Sequence, residues 1–240
     1  MSDLLRIEQQ GEVWSFVLQR PDKRNALSAE LVEALLAGVA QAHAGHARVL
    51  VFRGEGKNFS AGFDFSNFEE QSEGDLLLRF VRIETLLQAV ASSPCLTVGF
   101  AHGKNFGAGV DLFAACRRRI ASADASFRMP GLKFGLVLGT RRFGQIVGPE
   151  RAASIQQEAQ TFDAAEGLAM GFVQHVQEPQ AWGEAVAAAQ TSAAALDDWS
   201  REALHRVLCT QQIDVDMAAL VRSAARPGLK ERVKRYLDPS

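Results

Sequence analysis

The sequence predicts an α/β fold with a helical C-terminal region, and three observations lead there. Short runs of β-forming residues alternate with longer segments of helical periodicity, which implies crossover connections and an α/β core. Small-residue turns rich in glycine separate the two kinds of segment. After Pro149 the strand-like runs fade and the chain becomes Ala-rich and helical.

Residues 4–8 and 13–18 read as two strands joined by a turn at Gly11. In the second, Trp14, Phe16 and Leu18 alternate with Val13, Ser15 and Val17, which puts the large apolar side chains on one face. Ser28 is a good N-cap for a helix over 29–44, with Leu31, Leu35 and Val39 on one stripe. Residues 48–53 form a compact apolar strand ended by Gly54 and Gly56. The helical pattern returns over 76–91 and stops before Pro94. Residues 96–100 are a short buried strand, 111–116 a helix and 119–122 a strand. The 181–195 stretch is low in complexity but compatible with helix, and 214–237 reads as a basic terminal helix carrying Lys230, Arg232, Lys234 and Arg235.

The chain has 240 residues, enough for one sizeable core. Its 26 basic and 28 acidic residues nearly cancel, which argues against a general nucleic-acid binder. Cys95, Cys116 and Cys209 form no CxxC pair, so the pattern suggests a reducing compartment without a disulfide framework or a zinc site. The N-terminus lacks a signal-peptide core, and no apolar run is long enough to span a bilayer. The expectation is a soluble cytoplasmic protein that holds no metal and engages neither membrane nor nucleic acid.

Two stretches carry the chemistry. Asn58-Phe59-Ser60-Ala61-Gly62-Phe63-Asp64 and His102-Gly103-Lys104-Asn105-Phe106-Gly107-Ala108-Gly109-Val110-Asp111 are small-residue turns that follow β-formers and precede segments able to be helical. Small residues let a ligand approach the main chain, and a turn into a helix leaves backbone N–H groups free to donate. Two such donors meeting at one point would form a hole for a developing oxyanion.

The order and spacing of five motifs resemble the crotonase superfamily, the enoyl-CoA hydratase/isomerase family. They are Arg20-Pro21-Asp22-Lys23-Arg24-Asn25-Ala26-Leu27, the turn over 59–64, Gly107-Ala108-Gly109, Ile120-Ala121-Ser122-Ala123-Asp124-Ala125-Ser126-Phe127, and Gly148-Pro149-Glu150-Arg151-Ala152. The resemblance implies a spiral of repeated β-β-α units over 1–180 and a helical region over 181–240 that trimerises and covers CoA. It implies an acyl-CoA thioester as substrate, with CoA present only as part of it and no separate cofactor. The assembly would be a homotrimer or a dimer of trimers, and the activity that of a lyase or isomerase in fatty acid metabolism. The main-chain N–H groups of Phe63 and Ala108 would hold a thioester enolate, and one such donor is worth about 2.7–4 kcal/mol in the transition state. Ala61 and Gly62 would lie against the adenine. Lys23, Arg24, Lys230 and Lys234 are the candidate contacts for the CoA phosphates.

The chain departs from the family pattern where hydratases carry two glutamates. The first position is Asp111, the only recognisable acid/base, whose reach is shorter by roughly 1.5 Å, one C–C bond. The second, after Met129-Pro130, is Gly131. The loop over 134–140 looks about three residues short against the family pattern, with Val137 or Leu138 where isomerases place an aspartate. Arg117 stands where the family has Asp, and Ser66 where it has Lys. Two-carboxylate water addition does not survive these changes. Thioester hydrolysis, decarboxylation, C–C cleavage, or a non-catalytic acyl-CoA-binding or assembly role are the alternatives.

Several residues also have plain structural readings. Asp111 at a helix N-terminus would favour its ionised form, which suits a base. Asp64 fits an Asx-type turn. His102 reads as a core histidine, and the triple Arg117-Arg118-Arg119 as a solvated or subunit-facing run. Ser60 fails the nucleophile-elbow pattern because position 58 is Asn.

Overall fold

A computed structural model describes residues 3–208 and 212–238. Nine strands and ten α-helices appear among them. The strands are β1 (Leu5–Gln10), β2 (Val13–Leu18), β3 (Val49–Gly54), β4 (Leu96–Ala101), β5 (Lys104–Phe106), β6 (Arg118–Ala121), β7 (Ser126–Arg128), β8 (Thr161–Asp163) and β9 (His175–Val176). The helices are α1 (Ala29–Ala44), α2 (Glu73–Ala91), α3 (Ala108–Ala115), α4 (Thr140–Val147), α5 (Pro149–Glu158), α6 (Ala164–Ala169), α7 (Trp182–Ala194), α8 (Asp198–Leu208), α9 (Ile213–Ala224) and α10 (Leu229–Leu237).

Six strands form one sheet in the order β1-β2-β3-β4-β6-β9, and β5-β7-β8 form a second. Only β1 runs antiparallel in the first sheet. The α/β prediction therefore holds, and so does the spiral: β4-β5-α3 is followed by β6-β7-α4, with the first strand of each unit in the large sheet and the second in the small one.

The alternation within each strand explains why the large sheet is covered on both faces. Trp14, Phe16 and Leu18 of β2 and Leu50 and Phe52 of β3 join the main core, which includes Leu31, Leu35 and Val39 of α1 and Leu76, Phe80 and Ile83 of α2. Val13, Val49, Val51, Val98, Phe100 and Ile120 point the other way, onto Ala189 and Ala193 of α7. The low-complexity alanine stretch thus works as a flat helix face laid on a sheet.

Caps set the helix starts. Ser28 accepts from the Leu31 N–H and opens α1 as expected. Ser72 and Asp75 form a capping box that starts α2 at Glu73, three residues before the apolar periodicity begins. The predicted single terminal helix over 214–237 is two helices. Pro227 and Gly228 interrupt it, because proline lacks the N–H that would continue the ladder and Gly228 takes a positive φ of 79°. No helix among the described residues is long and apolar enough to cross a membrane. Cys209 lies outside the described residues.

Candidate active site

The two glycine-rich turns meet at one point. After β2 the chain runs beside the first turn: Leu27 N–H donates to Gly62 O at 2.7 Å, and Asp64 N–H to Leu27 O at 3.3 Å. Phe106 N–H donates to Ser60 O at 3.2 Å, which ties the second turn to the first. Gly62 has φ +82°, and a Cβ there would overlap the Phe106 carbonyl and stand 3.1 Å from Ala108 N. Glycine is required for this approach. Neither the Phe63 nor the Ala108 N–H donates to another group among the described residues. The helix α3 starts at Ala108, so its macrodipole adds positive potential at the junction.

Three buried asparagines hold this geometry, and the sequence reading missed them. Asn25 Nδ2 donates to the carbonyls of Glu55 and Asn58, each at 2.8 Å, while its Oδ1 accepts from Arg20 N–H. Asn58 Nδ2 donates to Lys104 O at 2.6 Å, and Asn105 Oδ1 accepts from Ser60 N–H at 3.2 Å. Amide side chains both donate and accept, which suits them to stitching irregular backbone in the interior. Asn25 also takes a left-handed φ of 53°, which Asn tolerates better than most residues. A buried Asn beside each small-residue turn was the available signal.

A cavity of about 250 Å³ opens against the junction. Phe63, Ala108 and Asp111 all line it, together with Ala61, Arg24 and Gly131. The structure thus gathers all three predicted catalytic residues at one apolar site. Asp111 is almost fully buried, and its Oδ1 has no hydrogen-bond partner. Burial pushes its carboxyl well above the ordinary carboxylate value; nearby Arg142 opposes this and Glu84 adds to it. The helix N-terminus was expected to favour the ionised form of Asp111; burial pushes the other way, and the net direction is toward the neutral form. Glu84 and Arg142 are themselves buried and face each other at 3.5 Å. The Glu84 carboxyl is raised by burial, with Arg142 pulling it back.

The predicted CoA contacts separate into two groups. Arg24, held in a left-handed conformation at φ 52°, lies exposed on the cavity wall, with Lys23 next to it in a short 3-10 turn. Ala61 also lines the cavity, but its N–H donates to Arg24 O at 2.8 Å, and Gly62 N–H donates to Ser60 Oγ at 3.2 Å. Lys230 and Lys234 sit on α10 against Glu69, with Nζ of Lys230 on the Glu69 carbonyl at 2.6 Å and Nζ of Lys234 3.5 Å from its carboxylate. What α10 brings to the cavity is Tyr236 and Leu237. Arg128, Lys133, Arg226, Arg232 and Arg235 line an adjoining groove that shares Phe134, Tyr236 and Leu237 with it.

The plain readings fare unevenly. Asp64 is structural: it pairs with Arg20 at 2.7 Å and its Oδ1 accepts from Ser66 N–H at 2.9 Å, an Asx-type turn. Burial raises its carboxyl, but the bonds from Ser66 and Arg20 together outweigh that and hold it below the ordinary value. His102 contacts Gly56 O at 3.0 Å and lies against Trp182, away from the cavity. Ser60 is buried and gives its hydroxyl to Asn25 O. The triple arginine is not a solvated run. Arg119 is buried with its guanidinium on the carbonyls of Phe172 and Cys116, and Arg117 donates to those of Cys95 and Ala91. Cys116 is a core residue whose thiol burial pushes up to about 12.

Known proteins share both the sequence pattern and this architecture. The crystal structure of a Bordetella parapertussis protein described as an enoyl-CoA hydratase/isomerase superposes with a TM-score of 0.97 at 58% identity, covering 98% of this chain and 99% of that one. A Bacillus halodurans enoyl-CoA hydratase structure shares the fold at TM-score 0.83 and 22% identity, over 96% and 99% of the two chains. A Mycobacterium tuberculosis protein described as a probable enoyl-CoA hydratase is 33% identical over 190 residues, 77% of this chain and 76% of its own length. A model of the enoyl-CoA hydratase/isomerase family matches residues 8–224, and with the paired turns and their cavity this places the chain in that family.

Proposed function

We propose that the protein is an acyl-CoA-transforming enzyme that stabilises a thioester enolate between the N–H groups of Phe63 and Ala108, with Asp111 moving a single proton. The observation that carries this reading is the meeting of two unsatisfied main-chain donors at an apolar cavity lined by a buried carboxyl group. Bound there, a thioester oxygen would accept both N–H groups, which are fixed by the Asn25, Asn58 and Asn105 network before substrate arrives. Preorganised donors in a water-poor cavity act on the charge that develops in the transition state. Arg24 is the cation best placed for the CoA phosphates, with Lys23 beside it, Ala61 and Gly62 lie along the same approach, and Lys230 and Lys234 contribute less while Glu69 holds them.

Asp111 sets the class of chemistry. A carboxyl whose burial favours its neutral form holds its proton to higher pH and is a better donor for it. It suits a reaction that generates an enolate and then protonates it, or a proton shift in which one group returns what it removed. The second reading, decarboxylation or C–C cleavage followed by protonation by Asp111, rests on this burial. Two-glutamate hydration has no counterpart for its second carboxylate at Gly131. The proposed assembly is a trimer or a dimer of trimers in the cytoplasm, with α8 and α9 presenting apolar side chains to neighbouring copies.

The test is turnover of a panel of enoyl-, 3-oxo- and malonyl-type CoA thioesters with products identified by mass spectrometry. Products from any thioester, abolished by Asp111→Asn, support the reading. Tight thioester binding without turnover supports an acyl-CoA-binding role instead.

A further inference from the structure

The cavity wall is a continuous run of aromatic rings. Phe80 stacks on Phe63 with centroids 4.4 Å apart, Phe63 meets Phe65 at 4.8 Å, Phe65 meets Phe134 edge-on at 6.1 Å, and Phe134 meets Tyr236 at 5.2 Å. All five line the cavity. Beyond Asp111 the wall continues with Met129, Leu136 and Leu138, and Gly131 adds no side chain. Arg24 brings a cation to the wall but is exposed to solvent, and burial favours the neutral form of the Asp111 carboxyl.

We infer that the cavity takes a compact, wholly apolar acyl group ending in a ring, aryl or cyclic, with Phe134 and Tyr236 as its specificity-determining residues. This rests on the acyl-CoA reading above and names the acyl class within it. Three features carry it. The first is size: a dry cavity of about 150 Å³ accommodates benzene, so the roughly 250 Å³ here holds a ring and a short link to the thioester. A long straight chain exceeds it while Tyr236 and Leu237 stay in place. The second is shape, since rings set edge-on and stacked offer flat walls that match a flat ligand better than a coiled alkyl chain. The third is polarity, since a second carboxylate on the acyl group would leave water for a wall whose polar side chains are Asp111, Thr140, Tyr236 and the solvent-exposed Arg24, with no buried cation among them to pair it. Tyr236 comes from α10, which Arg232 pins by donating to Phe134 O at 3.0 Å, so the two proposed selectors are fixed relative to each other.

The experiment is calorimetric titration of the intact protein with CoA, phenylacetyl-CoA, octanoyl-CoA, palmitoyl-CoA and glutaryl-CoA. Phenylacetyl-CoA is expected to bind about 2–12-fold more tightly than octanoyl-CoA, from ring-on-ring contact alone, and glutaryl-CoA no better than CoA. Tyr236→Ala should erase the ring preference and improve palmitoyl-CoA binding. Phe134→Leu conserves apolar volume and keeps the core filled, and it should reduce the ring preference without unfolding the protein. Equal affinities across the acyl groups, or a preference for glutaryl-CoA, overturn the acyl class while leaving the acyl-CoA reading intact. Failure of every thioester to bind a folded protein overturns both.

Discussion

Gly139 packs directly on the Asp111 carboxyl. It has φ +64°, and a Cβ there would overlap Oδ1 of Asp111 and come within 3.2 Å of its Cβ. The residue that opens α4 therefore fixes where the acid at the start of α3 points. Gly139→Ala is expected to lose turnover by displacing that carboxyl, since a misplacement of about 1 Å costs on the order of 10²-fold. It should also lose about 1–3 kcal/mol of stability from the left-handed backbone. Gly171→Ala separates the two effects. Gly171 has φ +76°, but the nearest atom to a Cβ there is 4.0 Å away. It should show the stability loss in chemical denaturation and keep wild-type kcat.

Asp111→Asn keeps the shape of a protonated aspartate and removes the proton. In the unfolded chain Asp111 ionises around its ordinary value of 3.8, whereas burial in the folded protein holds the proton to higher pH. Above that value the unfolded state binds fewer protons than the folded one, so stability falls as pH rises until the folded group also ionises. Asparagine carries no such dependence. Wild type and Asp111→Asn should have stability offsets that do not vary with pH well below 3.8, and the variant should gain on wild type as pH climbs above that value until the folded carboxyl also ionises. Turnover should collapse in the variant at every pH. In wild type, kcat should fall on the alkaline side, the sign expected of an acid; a rise there would make Asp111 the base.

How much of this was legible follows from the range of the interactions. The β2 and β3 strands were readable because their alternation is local, and Phe63, Ala108 and Asp111 because turn chemistry and motif order travel with the sequence. The second sheet was not. β5 and β7 are three residues each, too short for a period, and exist because Lys104–Phe106 pairs with Ser126–Arg128 across the fold. Arg119 reads as a surface charge in sequence, and only the carbonyls of Phe172 and Cys116 reveal it as a buried brace. The direction of the Asp111 shift escaped the sequence for the same reason: the helix terminus is visible there, the burial that opposes it is not.

The Arg20–Asp64 pair joins a half-buried guanidinium to a buried carboxylate and anchors the exit of β2 to the first turn, since Arg20 Nη1 also donates to Ala26 O at 2.6 Å. Asp64→Ala strands the guanidinium and frees the Ser66 N–H. Losing charge-assisted hydrogen bonds at a half-buried pair costs about 1.5–3 kcal/mol, and denaturant unfolding should register a loss of that order. The folded carboxyl of Asp64 lies below its ordinary value of 3.8, so its contribution is complete above that pH and fades as the solution is acidified past it. The difference between wild type and variant should shrink toward acid pH.

Trp199, Val207 and Leu208 on α8 are 75%, 82% and 68% exposed, and Ile213 and Val215 on α9 add to the same apolar character. Clustered large apolar side chains mark association surfaces. A trimer or hexamer mass is expected by light scattering at micromolar concentration. Trp199→Glu with Val207→Glu should lower that mass and leave far-UV circular dichroism unchanged. A clean wild-type monomer would refute the assembly.

Gly131 decides whether this cavity hydrates. With no side chain there, the wild type is expected to turn over crotonyl-CoA slowly or not at all; a rate of about 10–10³ s⁻¹, ordinary for an evolved enzyme, would show that one aspartate suffices. Gly131 opens a short 3-10 turn without a positive φ, so its backbone accepts a side chain. A Cβ would lie 3.2 Å from Leu136 O, a contact relieved by a shift of a few tenths of an ångström. Gly131→Glu should therefore fold, at a cost of about 1–3 kcal/mol from overpacking. A glutamate on the cavity wall that Asp111 also lines would supply the second carboxylate that water addition needs, one group activating water and the other handling the α-carbon proton. Gly131→Glu, alone or with Asp111→Glu, should raise hydration above wild type in an absorbance assay of crotonyl-CoA. If both variants fold, bind crotonyl-CoA and still fail to hydrate it, the limit lies in the loop that places Gly139 over Asp111, and the cavity is built for a reaction other than water addition.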